Sequence, residues 1–213
     1  KTFEALNDKC WHGEYMTVYK DGLYAVFTYS KDAWSPTAGY SPSKLVKFDK
    51  ELKIVSSIDL NSRNIDGGGC NGACVLNGHT LYVASLGGFQ HTDGAPNDNS
   101  MVEAVDLDAM TSRILVQNKD VYAKYPEITK WIYDFRSLCI LPDGTVYVQN
   151  GGWNTKGADS ASGSLIFKTT LAKLNNGDLG SIINFFFMIR PSPRSALFPD
   201  TTLFRSLCIL PDG

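Results

Sequence analysis

"LPDGTVYVQN" (Leu141–Asn150) sets two apolar, β-favouring runs on either side of an Asp-Gly pair. Asp-Gly and Asn-Gly between alternating apolar residues are strong hairpin signals, because both residue types tolerate positive φ. The same arrangement stands at "YKDGLYAVFT" (Tyr19–Thr28) and at "VLNGHTLYVAS" (Val75–Ser85). The turns are expected at Asp21-Gly22, Asn77-Gly78 and Asp143-Gly144. In each case a strand of the type x-Tyr-Val/Ala follows, then a long polar stretch, then two more strand-like runs.

The first unit predicts strands at Met16–Lys20, Leu23–Ser30, Lys44–Asp49 and Lys53–Leu60. The second predicts Ala73–Leu76, Thr80–Ser85, Met101–Leu107 and Arg113–Gln117. The third predicts Ser137–Leu141, Thr145–Gln149, Leu165–Leu174 and a last strand near Leu179–Ile183. The turn glycines Gly22, Gly78 and Gly144 lie 56 and 66 residues apart. A four-stranded antiparallel unit repeated in this way describes a β-propeller blade, with longer loops than the usual period of about 40–50 residues. The chain is therefore expected to be all-β: an incomplete β-propeller of about three four-stranded antiparallel blades (12–60, 71–118 and 135–184), with an irregular C-terminal tail. A β-sandwich competes, but does not account for one turn recurring three times.

The units share pattern rather than letters, and over residues 12–183 they resemble the "PDG-x-LYVAN … V-x-V-x-D" repeats of YVTN-type propellers, a WD40-like architecture. Against that divergence, "FRSLCILPDG" occurs identically at Phe135–Gly144 and Phe204–Gly213. The stretch leading into the second copy, Phe185–Ser206, has neither a strand nor a helix period. Its end, "TTLFRS" (Thr201–Ser206), resembles a peptide produced when sequencing-adapter DNA is translated in assembled metagenomic reads. On that resemblance, residues 1–184 are the partial propeller, 185–206 are foreign to it, and 207–213 duplicate 138–144. Three blades are fewer than the 4–8 that close a ring, so some blade faces are expected to lack a neighbour.

Composition narrows the function. A 43% hydrophobic and 20% charged chain of net charge −2 lacks the positive field of a nucleic-acid binder. Its longest apolar run, Ile182–Ile189, is too short to span a bilayer as a helix, so no transmembrane segment is expected. Of five cysteines, Cys208 copies Cys139, which sits in an alternating run and is expected to be a small buried apolar residue. Cys10 is a candidate to pair with Cys70 or Cys74, which would suit an exported, periplasmic or extracellular protein. "GGGCNGAC" (Gly67–Cys74) has the wrong spacing for a zinc knuckle or a redox pair, so no metal site is assigned.

The long connections, Lys31–Ser43, Leu86–Ser100 and Asn150–Gly163, would emerge on the same rim as the interblade links Asn61–Gly72 and Lys119–Asp134. Binding groups concentrate on loops held by a rigid scaffold. That rim would carry Trp34, Tyr40, Phe89, His91, Asp93, Trp131, Trp153 and Asn154. Aromatic faces beside amides and carboxylates suit a small molecule such as a sugar, a glycan chain, or a protein partner. Asp93–Ser100 is rich in oxygen donors but lacks EF-hand spacing, so calcium is disfavoured and no cofactor is specified. The chain has no Gly-x-Ser-x-Gly elbow, His-Glu-x-x-His helix or phosphate-binding loop, and no catalytic residue is assigned. The expected function is an exported binding or scaffold protein working through the long-loop rim. The competing reading is a propeller enzyme, a lactonase-like hydrolase or quinone-dependent oxidoreductase, with its site residues on other blades.

Overall fold

A computed structural model of the 213-residue chain describes residues 11–29, 42–63, 73–87, 100–126, 132–154 and 161–189. The chain is mostly β, and its described strands form three four-stranded antiparallel sheets. The first sheet holds β1 (Trp11–Tyr19), β2 (Gly22–Tyr29), β3 (Pro42–Phe48) and β4 (Ile54–Arg63). The second holds β5 (Cys74–Asn77), β6 (Thr80–Ser85), β7 (Met101–Asp106) and β8 (Thr111–Gln117). The third holds β9 (Ile132–Ile140), β10 (Thr145–Asn154), β11 (Ala161–Thr170) and β12 (Ser181–Ile189). Strands neighbour one another in chain order in every sheet, so each is a meander.

The three hairpin turns lie where the Asp-Gly and Asn-Gly pairs mark them, but their central residues differ. Tyr19 pairs with Gly22, which makes Lys20 and Asp21 the turn residues, with positive φ on Lys20 (52°). Asn77 pairs with Thr80, which makes Gly78 and His79 the turn, with positive φ on Gly78 (61°). In the third hairpin the Gly144 amide donates to the Leu141 carbonyl, and Gly144 takes φ 81°. That is a Pro142-Asp143 turn closed by a left-handed glycine, the three-residue loop form.

Two helices replace expected strand or loop. The run Leu165–Leu174 is not one strand, because β11 stops at Thr170 and α2 (Leu171–Asn175) follows. Thr170 caps that helix through its hydroxyl, which accepts from the Lys173 amide at 3.3 Å. In the second interblade link α1 (Asn118–Lys124) begins where the Gln117 amide donates to the Asp120 carboxylate at 2.8 Å. β12 also runs past the expected blade end at residue 184, with Phe185–Ile189 paired to Leu165–Ala161 of β11. The remainder of the tail lies outside the described residues.

Alternation along the strands gives each sheet two faces, and the core lies between sheets. Leu81, Val83 and Val105 of the second sheet pack on Tyr24, Val26, Leu45 and Leu60 of the first. Their sequence neighbours Tyr82, Ala84, Val102 and Ala104 pack on Phe135, Leu138, Val146, Val148, Leu165 and Phe167 of the third. Each sheet thus has a back face toward the preceding sheet and a front face toward the following one. The middle sheet is covered on both, so β6 reads as a continuous buried run rather than a half-buried alternation. Among the described residues no helix is long and apolar enough to cross a membrane.

Candidate functional site

The strand registers set the two ends of every sheet. At one end Trp11 pairs with Tyr29 and Pro42 with Arg63, so the β2–β3 connection and the exit toward the second sheet share a side. The same holds where Ser85 pairs with Met101 and Met101 with Gln117. This loop end therefore carries the long connections, and the turn end carries the hairpins and the short Leu107–Met110 link.

Of the expected rim residues, Trp34, Tyr40, Phe89, His91, Asp93 and Trp131 lie outside the described residues. Trp153 and Asn154 end β10, paired with Ser162 and Ala161 respectively, which places them at the loop end. Cys10 and Cys70 also lie outside. Cys74 is buried with a free thiol. It faces back into the first seam opposite Val83, and burial pushes its thiol pKa up, which leaves it inert. Cys139 is only half-buried, not the core residue expected. It is paired with Tyr147 on the front face of the third sheet, where no described strand follows.

Beneath the long connections the loop end is lined with buried polar groups. Between the first and second sheets, Glu103 of β7 is fully buried. Its carboxylate accepts from the Asn61 amide (2.9 Å), the Asn61 side chain (3.0 Å), the Ser62 amide (3.4 Å) and the Ser112 hydroxyl (2.6 Å). A buried carboxylate needs that number of donors, and here they tie β4 to β7 and β8. Close by, the side-chain oxygens of Thr28, Ser43 and Ser62 are buried without a partner in the protein. Phe27 pairs with Lys44, so Thr28 and Ser43 are the next cross-strand neighbours, on the front face of the first sheet. Ser43 and Ser62 both fall in the register shift where β3 leaves its regular pairing with β4.

The second seam has its own polar floor. The Ser100 hydroxyl accepts from the Phe135 amide (2.9 Å), and its carbonyl accepts from the Asn118 amide (3.0 Å). Asn150 donates from Nδ2 to Asn118 Oδ1 (3.4 Å), while its own Oδ1 is buried without a partner. Beside them Arg136 occupies the bulge of β9 between Phe135 and Ser137. Burial lowers its guanidinium pKa, and the charge of Asp134 raises it in part. Sequence reading passed over Asn118, Asp134, Arg136 and Asn150. The available signal was "YDFRSL", where charges break the alternation of a strand, as they do at bulges beside functional positions.

A cavity of about 330 Å³ opens at the turn end of the second seam, away from the expected rim. His79, Asp106, Thr111, Arg113 and Asn175 line it over the ring of Tyr82. The Tyr82 hydroxyl donates to Asn175 Oδ1 (3.1 Å), and Arg113 donates to the Asn175 carbonyl (3.0 Å). Ala104, the cross-strand partner of Tyr82, leaves this space; in the first sheet the partner of Tyr24 is Lys47, which lies over the Tyr24 ring at 5.5 Å. Both the cavity and the polar loop ends offer hydrogen bonds and modest charge. Among the described residues no group of three His, Cys, Asp or Glu could hold a metal ion. In comparisons with known proteins, no family model matches the chain, and no curated protein matches it.

Proposed function

We propose that the three sheets are blades of a YVTN-like β-propeller in an exported binding protein, whose loop-end rim takes a hydroxyl-rich small molecule such as a sugar or a glycan end. Three supports bear on the propeller reading. Each sheet is a meander of four strands, successive sheets pack front to back, and long connections gather on one side.

The observation that carries the ligand class is the set of buried, unpartnered oxygens of Thr28, Ser43, Ser62 and Asn150, all at the loop end. Each such group costs about 1–3 kcal/mol unless it is hydrogen-bonded. They favour a hydroxyl-bearing guest, or water ordered beneath one, over an apolar guest. Trp34, Trp131 and Trp153 would supply the stacking faces.

Tryptophan fluorescence titrated with a panel of neutral mono- and oligosaccharides tests the reading. At least one sugar is expected to give a saturable change, weakened about tenfold or more by Trp153→Ala. Absence of any saturable sugar response, or a response indifferent to Trp34→Ala and Trp153→Ala together, would overturn it.

A further inference from the structure

The turn ends of the three sheets follow one plan, and the middle sheet departs from it at one position. Tyr24, Tyr82 and Tyr147 are the third residues of β2, β6 and β10, so they are equivalent. Across the next pairing stand Lys47, Ala104 and Lys168. Two residues further on, Asp49, Asp106 and Thr170 each hold the link that follows. Asp49 Oδ1 accepts from the Glu51 and Lys53 amides (3.0 and 2.8 Å). Asp106 Oδ1 accepts from the Asp108 and Ala109 amides (both 2.9 Å), and the Thr170 hydroxyl accepts from Lys173. The middle sheet keeps the holding residue and lacks the lysine. In the first sheet Lys47 lies over the Tyr24 ring; in the second, Ala104 borders the cavity of about 330 Å³.

Two rows of side chains on one face of the second sheet line that cavity. Thr80, Asp106 and Thr111 lie side by side in the first row, and Tyr82, Ala104 and Arg113 in the second. Asp106 Oδ2 accepts no hydrogen bond among the described residues, and His79 Nε2 stands 3.8 Å from it. Arg113 donates only to Asn175, from Nη1 at 3.0 Å and Nη2 at 3.3 Å, and a guanidinium has further N–H donors to give. An acid with an open oxygen and a base with open donors therefore share one cavity, on neighbouring strands.

We infer that this cavity binds a free α-amino acid with a small polar side chain. The ammonium takes the place of the missing lysine and donates to Asp106 Oδ2, flanked by the Thr80 and Thr111 hydroxyls. The carboxylate accepts from Arg113, the side chain best shaped for that group. Two residues along a strand separate the rows by about 7 Å. A hydrogen bond of about 2.9 Å at each end, with an ammonium and a carboxylate on one carbon between them, bridges that gap. Ser112 and Asn175 complete a polar lining, and the volume is at the small end for ligand sites, which favours a molecule of this size. The cavity lies at the opposite end of the sheets from the rim, and the inference is independent of what the rim binds.

Titration calorimetry of the full chain with L-serine, L-threonine and L-asparagine tests it. At least one is expected to bind with a Kd of about 1 mM or tighter, and methylammonium or acetate alone at least about 30-fold more weakly. Asp106→Asn keeps the acceptor for the Asp108 and Ala109 amides, and Arg113→Gln changes an exposed residue, so both should fold as the parent does by circular dichroism. Each is expected to weaken binding at least about tenfold, through loss of a charge-assisted hydrogen bond. Ala104→Lys gives the second sheet the lysine of the other two and should abolish binding. The inference is overturned if none of the three amino acids binds at about 1 mM or tighter, or if methylammonium or acetate binds as well as they do. Binding unchanged in folded Asp106→Asn, Arg113→Gln or Ala104→Lys would overturn it equally.

Discussion

The middle sheet and the third are built from the same unit, yet adjacent residues on their second strands have different surroundings. In β6, Val83 and Ala84 point to opposite faces and both are buried, at 3% and 0% exposure. In β10 the equivalent Val148 is buried and Gln149 is half-buried. Burial of a front-face position is thus a property of the neighbouring sheet, not of the strand. The side chains agree: where a following sheet stands the position is Val26 or Ala84, and where none is described it is Gln149.

Truncation of a buried and of an exposed apolar side chain should break this comparison most forcibly. Leu81→Ala in the middle sheet is expected to cost about 3–5 kcal/mol in denaturant unfolding, through lost transfer energy and a cavity. Met16→Ala, at a position 70% exposed on the first strand, should stay within about 0.5 kcal/mol. Equal losses would mean that Met16 is covered as fully as Leu81.

Next in size is the polar tie of the first seam. Glu103→Ala leaves the Asn61, Ser62 and Ser112 donors without their acceptor and should cost about 2–4 kcal/mol. Glu103→Gln, which keeps an acceptor, should cost less. Tyr82→Phe removes the bond to Asn175 in the second seam and should cost about 1 kcal/mol. Tyr147→Phe should change monomer stability by only a few tenths of that.

The smallest effect is electrostatic. Across the turn end of the first seam Asp108 accepts from Lys20 at 2.5 Å and from the Tyr19 hydroxyl at 3.1 Å. The Lys20 bond leads in lowering the Asp108 carboxyl pKa, and the Asp108 bond leads in raising that of Lys20. A carboxyl depressed in the folded chain stabilises it above the ordinary pKa of about 3.9 and ceases to do so as pH falls through the folded value. Melting curves of the parent and of Asp108→Asn should differ slightly at neutral pH and converge on acidification below about pH 4. A gap that widens toward acid would contradict the assigned pair.

The sheets were legible because turn chemistry and alternation are local. The Asn77-Gly78 cue and the run Thr80–Ser85 placed β6 to the residue. The turns themselves moved by one position, because a residue pair signals a reversal but the cross-strand register decides which residue takes positive φ; in the first hairpin that residue is Lys20 rather than Gly22. The short helix α2 was missed because "LAKLN" continues an apolar strand in composition. Its marks were the Thr170 cap and Gly177, which takes φ 77° just past the end. The candidate site was less legible. Thr28, Ser43 and Ser62 read as ordinary strand-end polar residues, and only the packing of one sheet on the next buries their oxygens. Cys139 shows the same limit, since its alternation was visible but the absence of a described sheet over it was not.

The central claim is that the sheets repeat one front-to-back packing unit, and thiol labelling of placed cysteines tests it most directly. Val83→Cys, Ala84→Cys, Val148→Cys and Gln149→Cys are close enough in size to be tolerated singly, with labelling read site by site at about 1 μM by mass spectrometry. The account predicts that the first three are protected and that Gln149→Cys reacts at least about tenfold faster than Ala84→Cys, its equivalent in the covered sheet. Equal reactivity of Ala84→Cys and Gln149→Cys, or rapid labelling of Val83→Cys, would contradict it.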